Sequence, residues 1–297
     1  TRQLPELLKK ELEGLSASAE EIAAMLGRIS EIGRESAKSA DSEGESQDSA
    51  KDEEAATQAQ TSQLIFVSPN ELKPLAKSLL EIYRKMGAQA WKRAKMKDIT
   101  KDLEPVLPRS VDIAMFGRMT TSSAFEDVQA AVQVAHAIST NALAQEFDYF
   151  TAVDDLSGES GAGMIGDVEF NSSTYYKYIN IHWEQLLKNL GDDVAVARRA
   201  IQALILAAAM AHPSGKQNTF AAFNLPDLLL VEVSERTLPV SYANAFLKPA
   251  RSSGDHTVME VSIRQLEDYQ DKLVQAYALD ASRAYMVVGE GSIKSAD

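Results

Sequence analysis

The apolar positions of this chain change period along its length. In residues 1–33 they recur at helical spacing, with Ile22, Met25, Leu26 and Ile29 on one stripe and Pro5 suited to a first turn. One or two helices are predicted there. Ser68-Pro69-x-Glu71 is a capping box that opens a further helix, ending in the basic run WKRAKMK at 91–97. At 111–116 the period drops to two: Val111, Ile113 and Met115 alternate with Asp112, Ala114 and Phe116, which predicts a strand with one buried face. Gly117 stops the pattern, and Arg118 and Met119 follow at once. Ser123-x-x-Glu126 then predicts a helix start, with Val128, Ala131, Val132, Ala135 and Ile138 as its buried stripe.

Farther along, strands mix with helices. DYFTAVDD (148–155) reads as a strand with Tyr149, Thr151 and Val153 on one face and Phe150 and Ala152 on the other. A loop over 157–167 and a strand over 173–182 complete a long hairpin with a glycine-rich tip that displays Met164 and Ile165. Trp183 to Leu190 predicts a short helix stopped by Gly191, and Asp192 is placed to cap a long buried helix over 193–211. TFAAF (219–223) and LLLVEV (228–233) predict a hairpin through Asn224-Leu-Pro226-Asp. Ile263, Leu266, Gln270, Leu273, Val274 and Tyr277 share one helix face, and AYMVV (284–288) predicts a last strand. The order is α+β, with helices gathered in the first third.

Composition narrows the class. A chain of 297 residues, 45% hydrophobic and 25% charged, can bury a real core as one large or two small domains. With no cysteine, disulfides and thiolate chemistry are excluded, which points to a reducing, cytoplasmic setting. The apolar run at 200–211 is too short to span a bilayer. The chain starts at Thr1 and enters helix almost immediately, so its natural N-terminus is expected upstream.

The net charge of -13 argues against nucleic acid only when taken as a sum. Residues 35–54 carry eight acids against Lys38 and Lys51, whereas 73–109 carry ten bases against four acids. Within the acidic stretch, 36–62 has no aromatic or β-branched aliphatic residue, and a disordered loop is expected. The basic run at 91–97 has two readings, a solvated helical face or a nucleic-acid track on which Trp91 stacks. The 117–119 turn also has two: Met119 plugs a core beside a solvated Arg118, or Arg118 meets a phosphate while Met119 wedges against a base.

Enzymatic signatures are missing. The histidines at 136, 182, 212 and 256 show no metal-ligand spacing, and no nucleophile elbow or Walker lysine is present. Gly161-x-Gly163-x-x-Gly166 matches a dinucleotide fingerprint in form, but a strand rather than a helix follows, so no nucleotide cofactor is expected. Asp154-Asp155 at a strand end could hold Mg²⁺, although paired acids there are more often turn-formers.

Several blocks taken together resemble one family. VDIAMFGRMTTS, AHAIST, DYFTAVDDL, the GMIG hairpin with its YYKYxNI return, and GKQNTFAAFNLPDLLLV are similar, in the same order over about residues 64–290, to the backbone subunit (CasC) of the type I-E CRISPR complex Cascade. The resemblance implies an RRM-like (ferredoxin-like) palm of the RAMP superfamily with an inserted helical fingers region and a β-hairpin thumb. Residues 1–130 would be the fingers, 131–142 and 175–297 the palm, and 143–174 the thumb. It implies a non-catalytic subunit that polymerises along CRISPR RNA and presents it for pairing with target DNA, with other copies of itself and other Cascade subunits as partners. By motif, Met119 and Ile165 would be opposing wedges on the guide, Phe150 and Thr151 would line it, and Lys216 and Gln217 would face it. Lys92, Arg93, Lys95 and Lys97 would bind duplex DNA. Relatives in that superfamily cut RNA with an acidic residue, so the alternative is a metal-dependent ribonuclease using Asp154 or Asp155. The family's first palm strand and a basic segment after it would lie upstream of Thr1.

Overall fold

The computed structural model describes residues 2–29, 64–95, 98–99, 103, 109–120, 125–152, 156 and 163–288. The acidic loop expected over 36–62 lies outside the described residues. The chain divides into two compact units, residues 1–133 with 181–203, and residues 134–180 with 204–297. Mixed helices and small antiparallel ladders make it an α+β protein.

The first unit is built on helices α1 (Leu4–Gly14), α2 (Ala19–Ile29), α3 (Pro69–Met86) and α4 (Ala88–Arg93). Each turns one apolar stripe inward: Leu4, Leu8 and Leu12 from α1, Ile22, Met25 and Ile29 from α2, and Leu75, Leu79 and Tyr83 from α3. Caps set where the helices begin. Ser18 and Glu21 exchange backbone and side-chain hydrogen bonds at 2.7 and 3.2 Å ahead of α2. Ser68 and Glu71 form the expected capping box of α3, with Ser68 N–H donating to Glu71 Oε2 at 2.9 Å.

Helix α5 (Val111–Phe116) stands where the sequence predicts a strand. Ile113, Ala114 and Met115 are all buried, a contiguous run that a turn and a half of helix can bury and a one-faced strand cannot. Six residues are too few for periodicity to tell the two apart. The helix predicted after Ser123 is likewise replaced by extended chain. Strands β1 (Val132–Val134) and β2 (Ile138–Ser139) lie within its stripe, and Val128 pairs with Arg118 in an isolated antiparallel bridge. The β-branched Val132 and Val134 alternate with Gln133, so tertiary pairing overrides an equally good helical spacing. Helix α6 (Trp183–Asn189) then locks this region from the side. Asn189 is buried and its Nδ2 donates to Ala114 O at 2.9 Å and Gln129 O at 2.8 Å.

The second unit holds three ladders. β3 (Glu146–Ala152) pairs with β4 (Met164–Phe170), β2 with β5 (Tyr175–Tyr176), and β7 (Leu228–Val233) with β8 (Ser282–Val287), all antiparallel. Strand β6 (Ile179–Ile181) follows β5, so the long strand expected over 173–182 is broken at Lys177 and Tyr178. The hairpin predicted between 219–223 and 228–233 does not form. Gln217–Phe220 is a short helix, α8, and β7 finds its partner at the far end of the chain instead. Helix α7 (Val194–Met210) precedes α8, begins one residue later than predicted and is capped by Asp193, whose Oδ1 accepts from Val196 N at 2.9 Å. It is not the buried helix expected: Ala197 and Ala200 are buried, but Leu206 and Met210 are exposed.

Helix α9 (Val258–Tyr277) packs Leu266 with Tyr242 and Phe246, and the capping box of Thr257 and Glu260 fixes its start. Beside this small core sits a polar hub. Glu232 accepts from Tyr242 Oη at 2.8 Å, from Arg283 Nε at 2.6 Å and from Gln270 Nε2 at 3.2 Å. Burial first, and then the bond to Glu232, push the Tyr242 hydroxyl well above the usual phenol range.

Glu21 shows how a surface contact carries a pH signature. The hydrogen bond from Arg84, followed by the Ser18 N–H, holds its carboxyl at about 2 instead of 4.5. A depressed folded value contributes stability that is full above 4.5 and is lost as pH falls through about 2. Arg84→Ala is expected to move the Glu21 titration upward toward 4.5, followed by carboxyl-carbon NMR.

Candidate nucleic-acid interface

The turn at 117–119 is fixed by three residues with different duties. Gly117 adopts φ +76°, and a Cβ there would lie 2.6 Å from Val128 O. That close approach lets Arg118 N donate to Val128 O at 2.9 Å and Val128 N donate to Arg118 O at 2.7 Å. Neighbouring residues in an extended segment point to opposite sides, so Arg118 turns in and Met119 turns out.

The guanidinium of Arg118 is interior. Its Nη1 donates to both carboxylate oxygens of Glu71 at 2.9 Å and to Phe66 O at 3.1 Å. Nε and Nη2 reach Glu126 O at 3.4 Å, and Cζ lies 5.0 Å from the Phe125 ring centroid. The expectation that Arg118 meets a phosphate is therefore corrected: at 6% exposure its donors are committed to the fold. Met119, by contrast, is 92% exposed, so the alternative in which it plugs the core is excluded.

Trp91 also changes role. It is fully buried, edge-on to Tyr83 at 5.3 Å, with Nε1 donating to Ala24 O at 3.2 Å, and it is not available to stack on a base. It anchors α4 instead, and Arg28 adds a hydrogen bond to Ala94 O just beyond that helix. Lys92, Arg93 and Lys95 are exposed on this anchored segment, while Lys97 lies outside the described residues.

In the second unit the β3–β4 ribbon carries the other candidates. Its register pairs Phe150 with Gly166, Thr151 with Ile165 and Ala152 with Met164. Met164 and Ile165 are thus in a strand, rather than in the tip loop that the sequence predicts. Pairs alternate between faces, which gives Tyr149, Thr151 and Ile165 one side and Phe150, Ala152 and Met164 the other. The expected split of β3 is reproduced, and with it Phe150 and Ile165 are parted onto opposite faces. Tyr149 and Ile165 are 65% and 62% exposed, against 38% for Phe150. The distal pairs are uncharged, whereas Glu146, Asp148, Asp167 and Glu169 all lie on the proximal half.

The ribbon's base meets α8 through Phe170 and Phe220, whose centroids are 5.5 Å apart. The same short helix starts at Gln217, whose Nε2 closes the turn onto Pro213 O at 2.6 Å. Lys216 is exposed in a left-handed conformation at φ 59°. Phe147, exposed beside Tyr149, and the Phe170–Phe220 contact were missed in the sequence; EFDYF alternation held the signal for the first. Asp154 and Asp155 lie outside the described residues, and among the described residues no acid or histidine cluster could hold a metal. No helix among them is long and apolar enough to cross a membrane.

Over residues 1–296 the chain matches a family model described as "CT1975-like protein". No curated protein matches it. Among solved structures, a chain of a "CRISPR RNA-guided surveillance complex, pre-nicking" is 28% identical, with TM-score 0.70 over 98% of this chain and 77% of that one. A chain of a "CRISPR RNA-guided surveillance complex" is 29% identical, with TM-score 0.56 over 75% of this chain and 77% of that one.

The opposed burial of neighbours at the turn predicts opposite costs for their loss. Arg118→Ala or Glu71→Ala strands a buried charge and is expected to cost about 3–5 kcal/mol in urea unfolding. Met119→Ala should stay within about 0.5 kcal/mol of the parent.

Proposed function

This chain belongs to the CT1975-like family of CRISPR-associated proteins, and from that premise we propose that it is a non-catalytic, RNA-binding backbone subunit of a Cascade-type complex. In this reading the helical unit serves as fingers, the β3–β4 ribbon as a thumb, and the remaining strands and helices as an RRM-like palm, in the type I-E arrangement. Copies assemble along the guide RNA in the cytoplasm, alongside other subunits, and leave bases free to pair with target DNA.

The observation that carries the reading is the outer three described pairs of the ribbon, which stop short of Asp154 and Asp155. Their outward residues are Phe150, Ala152, Met164, Thr151 and Ile165, without a charge among them. Apolar and aromatic side chains on an extended arm suit insertion beside bases, and the carboxylates nearer its base keep phosphates away from the stem. Met119, fully presented beside a buried Arg118, suits the same task from the helical unit. Lys92 and Arg93 on the helix fixed by Trp91, and Lys95 just beyond it, provide point charges for the target duplex. Lys216 is an exposed cation at the start of α8, the helix that meets the ribbon's foot.

Binding of the full chain to unstructured RNAs of increasing length tests the reading. Protomers are expected to add in integer steps, with affinity falling steeply between 50 and 200 mM salt, as roughly 0.7 counterions are released per phosphate neutralised. Lys92→Glu with Lys95→Glu should weaken duplex DNA binding on the order of tenfold and spare RNA. Met119→Ala should weaken target-strand capture more than guide binding, since a wedge orders bases without neutralising phosphates. The RNA should be recovered intact in Mg²⁺. Fragments at regular intervals, abolished by Asp154→Ala, would overturn the non-catalytic assignment.

A further inference from the structure

Phe150 and Gly166 form a directly opposed pair in the middle of the β3–β4 ribbon. A Cβ built on Gly166 would lie 2.7 Å from Phe150 Cζ and 2.9 Å from its Cε1. These are atoms of the ring's far edge. The ring therefore does not stand away from the ribbon but reclines across it, onto the bare backbone of the neighbouring strand. Its lower exposure, 38% against 60% for Phe147 and 65% for Tyr149 on the other face, has the same origin.

A glycine inside a strand weakens that strand, because it has no side chain to pack and loses much conformational freedom. Covering it with a cross-strand aromatic ring offsets part of that loss. It also fixes the ring. The Cζ and Cε1 edge of Phe150 occupies the place a Gly166 side chain would take, and 38% of the residue stays exposed. Ala152 and Met164, the next pair outward on that face, carry no charge and no β-branch. Any side chain at 166 would displace the ring.

We propose that Gly166 is a positioning residue: by carrying no side chain it lets the Phe150 ring, which the family resemblance sets against the guide, recline on the ribbon and meet a single nucleobase of the bound RNA. The proposal rests on the reading of the ribbon as an RNA-contacting arm. Such a contact accepts any base, because every base has a π-face, so it adds affinity without sequence preference. It also gives Gly166 a reason distinct from the phosphate-cradling role that a G-x-G-x-x-G spacing suggests.

The test is a double-mutant cycle on the full chain, with Phe150→Ala, Gly166→Ala and the pair, read by binding to a fluorescein-labelled, unstructured mixed-sequence RNA. Phe150→Ala should weaken binding about tenfold, as loss of one base–aromatic stack does. Gly166→Ala should lose a comparable factor, and the double variant should lose little more than either alone. NMR supplies a readout independent of RNA: one Gly166 Hα should resonate well upfield in the parent and return to the ordinary range in Phe150→Ala. If Phe150→Ala weakens binding while Gly166→Ala does not, or if the two losses multiply, the positioning role is wrong and the ribbon still binds RNA. If Phe150→Ala leaves RNA affinity untouched, the RNA-contacting reading of this ribbon face itself falls. An unshifted Gly166 Hα in the parent would overturn the reclined ring directly.

Discussion

The contact between Arg118 and Glu71 is the constraint on which the first unit turns. A guanidinium and a carboxylate are both withdrawn from water, and neither is tolerable there without the other. Glu71 already caps α3 through Ser68, so the same carboxylate ties the start of the longest helix of that unit to the turn after α5. Phe66 O and Glu126 O complete the ring of acceptors around Arg118. Because each of the three guanidinium nitrogens has an acceptor, the turn has one orientation. Its outward residue, Met119, is held in place by a neighbour that is almost wholly buried.

The same division recurs at α4. Trp91 is sunk completely beneath the helix, and the lysines and arginine beside it are left on the surface. A flexible basic side chain gains little from position unless its backbone is fixed, and here an indole does the fixing. On the ribbon a glycine does so for a phenylalanine. In each case the residue that meets solvent and the residue that orients it are adjacent in sequence or in register.

Much of this was legible in the chain. The capping box at Ser68 and the long apolar stripes identified the large helices, because those signals are local and the stripes repeat over several turns. The facing of Tyr149 and Thr151 against Phe150 was legible for the same reason. Short elements were not. Val111–Phe116 fits two periods equally well, and LLLVEV pairs with a strand about fifty residues away that no turn chemistry announces. The burial of Arg118 and Trp91 was also out of reach, since it depends on Glu71 and Ala24, distant in sequence from the groups they hold. The assumption that a cation beside a turn faces solvent was a composition argument, and packing overrode it.

The β3–β4 ribbon has a second consequence, for the life of the chain before it meets any partner. Among the described residues it is a two-stranded ladder with no third strand on either side, so both outer edges present unpaired backbone groups. Aromatic, alternating sequences with open edges are templates for unwanted strand addition and aggregation. Glu146, Asp148, Asp167 and Glu169 lie along those edges, and their mutual repulsion between chains works as a gatekeeper. They oppose the edge-to-edge pairing of one chain's ribbon with another's.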